Sequence, residues 1–143
     1  MLKVKSTLKN QFTKAHDSDA GYDIIANEEK VIFPGTRELI STDLYMAIPE
    51  GWVGIIKSRS GLSSKHSLDI GAGDIGAGVI DPGYTGEVKV LMINNGDDWY
   101  RVRAGDKIAQ ILIIPCYPSN EVVRVDNLED TVRGSNGFNS TGY

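Results

Sequence analysis

The chain has 143 residues, 41% of them hydrophobic and 24% charged, which suits one globular domain and argues against a disordered chain. A net charge of −4, from 15 basic and 19 acidic residues, disfavours a general nucleic-acid binder, although a few local cations still suffice for a small polyphosphate. No apolar run reaches the ~18 residues of a membrane span, and MLKVKSTLKN lacks the apolar core of a secretory signal. Cys116 stands alone, so the expected setting is intracellular and reducing, cytoplasmic or nuclear.

In chain order, apolar and β-branched runs at residues 21–26, 31–33, 37–40, 44–48, 52–56, 88–93 and 107–115 predict strands. Turn residues at Pro34-Gly35, Pro49-Glu50-Gly51, Pro82-Gly83 and Asn94-Asn95-Gly96-Asp97 separate them. The pattern predicts an all-β sandwich or barrel. A parallel sheet would need crossover helices, and only one short helix is expected, around residues 62–66 with Ser60 as its N-cap. DIGAG occurs twice in tandem, at 69–73 and 74–78, and reads as a lengthened hairpin loop. After a β domain at residues 1–132, the polar, glycine-rich residues 133–143 predict a flexible arm.

Several clusters have the composition of a ligand site. Ser58-Arg59-Ser60-Gly61 sets a forked cation between hydroxyls at a helix start, a pattern that suits phosphate and equally an ordinary cap. The tail combines Arg133, Ser135, Ser140 and Thr141 with glycines that can turn N–H groups toward an anion, and Phe138 could stack on a nucleobase. It lacks the Gly-Lys-Ser/Thr ending of a Walker loop, and a solvated chain end is the plain alternative. Asp81, before the Pro82-Gly83 turn, is a candidate general base and equally a turn opener. Tyr84 by itself reads as packing and Asp23 as a solvent-facing strand residue. Gln110, an amide in an apolar run, either ties backbone groups together or reaches a ligand.

DAGYDI (19–24), SRSGLSSK (58–65), GAGVIDPGYTGEVKV (76–90), GDKIAQILI (105–113) and RGSNGFNSTG (133–142) together resemble, in order and spacing, the five motifs of the homotrimeric deoxyuridine triphosphatases (dUTPases). The resemblance implies an all-β, jelly-roll-like homotrimer with active sites at subunit interfaces. It implies hydrolysis of dUTP to dUMP and pyrophosphate with Mg²⁺, which clears dUTP from the nucleotide pool and supplies dUMP for thymidylate synthesis. The partners are then the small-molecule substrate and two further copies of the chain, with no nucleic acid and no membrane.

By the same resemblance, Asp81 orients and deprotonates a water that attacks the α-phosphorus. Asp23 helps organise that region as an indirect contributor to a metal ion held mainly by substrate phosphates and water. Arg59, Ser60 and Gly61 hold the phosphate chain, and Gln110 contacts phosphate from a neighbouring chain. Arg133, Asn139, Ser140 and Thr141 close over the distal phosphates while Phe138 covers the uracil. Tyr84 packs under the deoxyribose, where a ribose 2′-hydroxyl would crowd it. Gly78, Val79 and Ile80 present backbone groups to the uracil edge, with Lys89 near sugar and base.

Three departures from the family pattern stand out. The second DIGAG looks like a five-residue insertion in the uracil-reading hairpin. The second copy aligns with the motif because it abuts Val79-Ile80-Asp81; were the first copy to take that place, Asp81 would be displaced. Asn139 replaces a glycine, which predicts weakened closure of the tail, and Pro82-Gly83 replaces a turn that often carries an acidic residue. The related deoxycytidine triphosphate deaminases share the Asp-Pro-Gly-aromatic turn but need a glutamate where Leu91 stands. A nucleotide sensor that keeps the fold without catalysis is the remaining alternative, with the insertion as its recognition surface.

Overall fold

Alternating burial shows directly in the strands. In β9 (Val90–Asn94), Val90, Met92 and Asn94 point inward while Leu91 and Ile93 are half-buried. The computed structural model describes residues 1–71, 78–117 and 119–134. Before β9 come β1 (Lys3–Lys5), β2 (Tyr22–Ile25), β3 (Lys30–Ile32), β4 (Arg37–Ile40), β5 (Tyr45–Ala47) and β6 (Trp52–Lys57). The helix α1 (Ser60–His66), β7 (Leu68–Ile70) and β8 (Val79–Ile80) follow, and β10 (Tyr100–Val102) and β11 (Lys107–Pro115) come after β9. The strand pairs are antiparallel, in sheets ordered β2-β11-β6-β8, β4-β9-β7, β1-β5 and β10-β3. The all-β expectation holds. Fully buried Ile24, Ile32, Ile40, Leu44, Ile56, Met92, Ile108 and Ile111 belong to one core that draws on every sheet.

The expected strands at 37–40 and 107–115 match β4 and β11 to the residue. Four strands were not expected: β1, β7, β8 and β10. Each is two or three residues long, too short for a visible alternation, and β1 (KVK) is wholly exposed. Ser60 is not the N-cap either. Arg59 takes the cap position with extended backbone and no side-chain cap bond, so Ser60 is the first helical residue. Arg59 serves through its carbonyl, which accepts the N–H groups of Leu62 and Ser63 at 3.1 Å.

On the outer edge of β2, Phe12 and Thr13 bond the backbone of Asp23, and Gln11 caps the next stretch at Ile25. Its Nε2 donates to the carbonyls of Ile25 (3.0 Å) and Thr42 (2.6 Å), and its Oε1 accepts from the Ile25 N–H at 2.9 Å. A buried amide thus stands in for a neighbouring strand. Gln11→Ala should leave buried backbone groups without partners and cost about 3 kcal/mol, read as a lower urea midpoint with an unchanged slope.

Candidate active site

Two grooves hold most of the candidate residues that the structure describes. The first lies where the central strands of the β2-β11-β6-β8 sheet end. Gln110 of β11 pairs in register with Asp23 of β2 on one side and Lys57 of β6 on the other. The chain then leaves β6 through Ser58 and Arg59 into α1, bringing Ser60 and Gly61 to the same place. The groove has a volume of about 370 Å³ and is lined by Asp19, Gly21, Asp23, Arg59, Ser60, Gly61 and Gln110, among others.

Asp23 is the hub of this groove. Its Oδ1 lies 3.2 Å from Arg59 Nε and its Oδ2 lies 2.7 Å from Lys107 Nζ, with the carboxylate itself largely buried. Arg59 also donates through Nη1 to the Lys107 carbonyl at 3.2 Å. The guanidinium is therefore held in a fixed pose with its fork near the groove. The register between β11 and β2 shifts between Lys107 and Ala109. An irregularity of this kind re-aims side chains, and here both Lys107 and Gln110 reach the neighbourhood of Asp23.

Gln110 does tie backbone together: its Nε2 donates to the Ser58 carbonyl at 2.9 Å. It also lines the groove beside Arg59 and Ser60 of its own chain. The expectation that Gln110 comes to the phosphate-holding residues from a neighbouring chain is thereby corrected, since strand pairing sets them side by side within one chain. Gly21 makes the approach possible, because a Cβ there would sit 2.6 Å from Gln110 Oε1.

The second groove, about 240 Å³, is lined by Val79, Ile80, Asp81, Tyr84, Glu87, Val88 and Lys89. β8 pairs with β6 (Gly54 opposite Ile80, Ile55 opposite Val79), so Asp81 leaves the sheet at a fixed point. The second DIGAG thus runs directly into β8, with Asp81 just beyond it. Asp69 and Ile70 of the first DIGAG belong to β7, and Gly78, the last residue of the second, leads into β8. Residues 72–77 between them lie outside the described residues.

Asp81 is exposed, and its carbonyl accepts the Tyr84 N–H at 3.2 Å across a turn with Gly83 at φ +87. Gly78 is buried, and its carbonyl accepts the Ile56 N–H at 2.8 Å, so that oxygen is engaged in the sheet. Tyr84 Oη donates to the Glu87 carbonyl at 2.9 Å. Arg133 is exposed, while Phe138, Asn139, Ser140 and Thr141 lie outside the described residues.

The two grooves do not meet within one chain. Ile80 faces Gly54, whereas Ser58 and Arg59 lie beyond the far end of β6. At about 3.3 Å per residue, roughly 15 Å of strand separates Asp81 from the arginine groove, far beyond the ~3 Å of a proton transfer.

The sequence reading passed over two residues. Lys107 follows the Gly105-Asp106 turn and looks like a solvent-facing lysine at a strand start. Glu87 alternates with Lys89 in GEVKV and looks like a solvated strand face. Yet Glu87 Oε1 accepts from Ser41 Oγ (2.5 Å), the Thr42 N–H (3.0 Å) and the Asp43 N–H (3.1 Å), and Oε2 lies 3.6 Å from Lys89 Nζ. Burial pushes the Glu87 carboxyl up, but the Ser41 hydroxyl, the two N–H groups and the Lys89 ammonium together hold it below the usual glutamate range.

A family model for dUTPase matches residues 9–142. A probable deoxyuridine 5'-triphosphate nucleotidohydrolase of Schizosaccharomyces pombe is 46% identical over 130 residues, covering 91% of this chain and 89% of that protein. The deoxyuridine 5'-triphosphate nucleotidohydrolase of Arabidopsis thaliana is 45% identical over 130 residues, covering 91% of this chain and 75% of that protein. Among solved structures, a point mutant of the Staphylococcus bacteriophage 80alpha dUTPase with dUpNHpp superposes with a TM-score of 0.85 at 33% identity, over 100% of this chain and 99% of that one. A mutant dUTPase from phage phi11 of S. aureus, described for its coordination of a structural Mg(II) ion, gives a TM-score of 0.77 at 32% identity, over 91% of this chain and 99% of that one. With the strand order, the two grooves and a match that runs through all five sequence motifs, the chain belongs to the dUTPase family.

Proposed function

We propose that this protein hydrolyses dUTP to dUMP and pyrophosphate in a homotrimer whose active sites are shared between chains. Family membership supports the reaction. The single observation that supports the sharing is the β6–β8 register, which keeps the general base and the phosphate groove of one chain apart. A site that needs both draws them from different copies.

The chemistry follows from the two grooves. Phosphoryl transfer depends on positioning and on stabilising charge. Arg59, pre-oriented by Asp23 and Lys107, meets the phosphate chain with a rigid fork, and Ser60 and Gln110 add donors. α1 has only seven residues, so the guanidinium and the hydroxyl, more than a helix dipole, carry the anion affinity. Asp81 of a neighbouring copy accepts the proton of the water that attacks the α-phosphorus, and Tyr84 and Lys89 of that copy receive the sugar and base. Arg133 and the tail residues Phe138, Asn139, Ser140 and Thr141 are assigned to closure over the bound nucleotide.

The residues suit Mg²⁺ held chiefly by phosphate oxygens and water. Among the described residues no group of three or more His, Cys, Asp or Glu could form a cage, and Asp23, already paired to two cations, can contribute through water. When bound, the ion supplies neutralisation of charge on the phosphate oxygens. Purified protein should release pyrophosphate from dUTP in Mg²⁺ and cease to do so in EDTA. Nucleotide binding without any release would favour the sensor reading instead.

A further inference from the structure

We infer that Glu87 is a positioning residue that sets the site's discrimination between deoxyribose and ribose, acting through Tyr84. The inference rests on the dUTPase reading of this groove. Tyr84 is half-exposed, and its hydroxyl donates to the Glu87 carbonyl at 2.9 Å. The ring is therefore tied to the backbone of Glu87. That backbone bridges Tyr45 in an isolated antiparallel pair, and its own side chain adds a further anchor: one carboxylate oxygen accepts from Ser41 Oγ and from the successive N–H groups of Thr42 and Asp43.

The receiving corner is itself fixed. Asp43 holds φ +55, which helps aim its N–H toward the carboxylate, and its own carboxylate accepts from the Thr7 N–H at 2.7 Å and the Thr7 hydroxyl at 2.6 Å. Val88 adds a backbone bond to the Leu44 carbonyl at 2.7 Å. Gly86 supplies the room for the folded turn, since a Cβ there would lie 2.6 Å from Tyr84 Oη and 2.7 Å from its Cζ. The other carboxylate oxygen of Glu87 faces Lys89, so one side chain organises both residues that flank the pentose. A 2′-hydroxyl is rejected sterically only while the ring stays put, and a ring free to swing tolerates it.

The test measures kcat/KM for dUTP and for UTP. Glu87→Ala should lower the dUTP-over-UTP ratio about ten-fold, with KM for dUTP rising by more than kcat falls. Glu87→Gln keeps an oxygen for the same three donors and should restore most of the ratio. Gly86→Ala, whose clash falls on the tip of the tyrosine, should lower the ratio with little change in melting temperature, and it carries the test should Glu87→Ala fail to fold. A ratio unchanged in Glu87→Ala and Gly86→Ala, with both substrates slowed equally, would overturn the inference while leaving wild-type dUTP turnover intact. If the wild type itself turned over neither nucleotide, the dUTPase reading would fail first and this inference with it.

Discussion

Asp81→Asn should lower turnover of dUTP by roughly 10²–10⁴-fold, the range a general base contributes, while dUpNHpp still binds within about three-fold of the parent. The amide has nearly the shape of the carboxylate but cannot accept the proton of the attacking water. Asp81 is exposed and stands just beyond the paired residues of β8, so the substitution should leave β8 and its register untouched. Melting temperature therefore stays near that of the parent. A variant that turned over at the parental rate would remove Asp81 from the chemistry.

Mixing two inactive variants should restore activity. Arg59→Ala removes the fork proposed to hold phosphate and leaves Asp81; Asp81→Asn removes the proposed base and leaves the fork. Unfolded together in equal amounts and refolded, the chains should assemble randomly. A site that takes its arginine from one copy and its aspartate from another then regains both with a chance of about one in four. Activity should rise to about a quarter of the parental value from a background near zero. If each chain carried a complete site, no mixture could exceed its components.

Much of the fold was legible because strands stand out as apolar, β-branched runs between turn residues. β4 ends in Leu39-Ile40, and β11 is apolar from Ile108 to Ile114 but for Gln110. β8 is two residues between a glycine and an aspartate, and only its pairing with β6 makes it a strand. Asp23, the run Arg59-Ser60-Gly61 and Gln110 stood in three separate motifs in the sequence, and β2, β11 and the exit of β6 bring them to one groove. The distance between that groove and Asp81 was not legible. It depends on which residue of β6 faces which residue of β8, a long-range pairing that no local pattern encodes. Glu87 and Lys107 were missed for a common reason: a charged side chain on a short strand looks solvated until its partners are known, and those partners lie as far off as Ser41 and Asp23.

The pairing of β8 with β6 also bears on how this chain can change over time. Both ends of the duplicated stretch are tied to sheets: Asp69 faces Ile93, and Ile80 faces Gly54. Removing either pentapeptide yields the same shortened sequence, with Asp-Ile still available to β7 and Gly-Val-Ile to β8. Because loop closure depends only weakly on length, copies can be gained or lost by slippage at this point with Asp81 still delivered to one place. β7 and β8 lie in different sheets, so the repeat joins two sheets where the sequence led one to expect the arms of a hairpin, and this connection is a tolerant address for grafting foreign peptides.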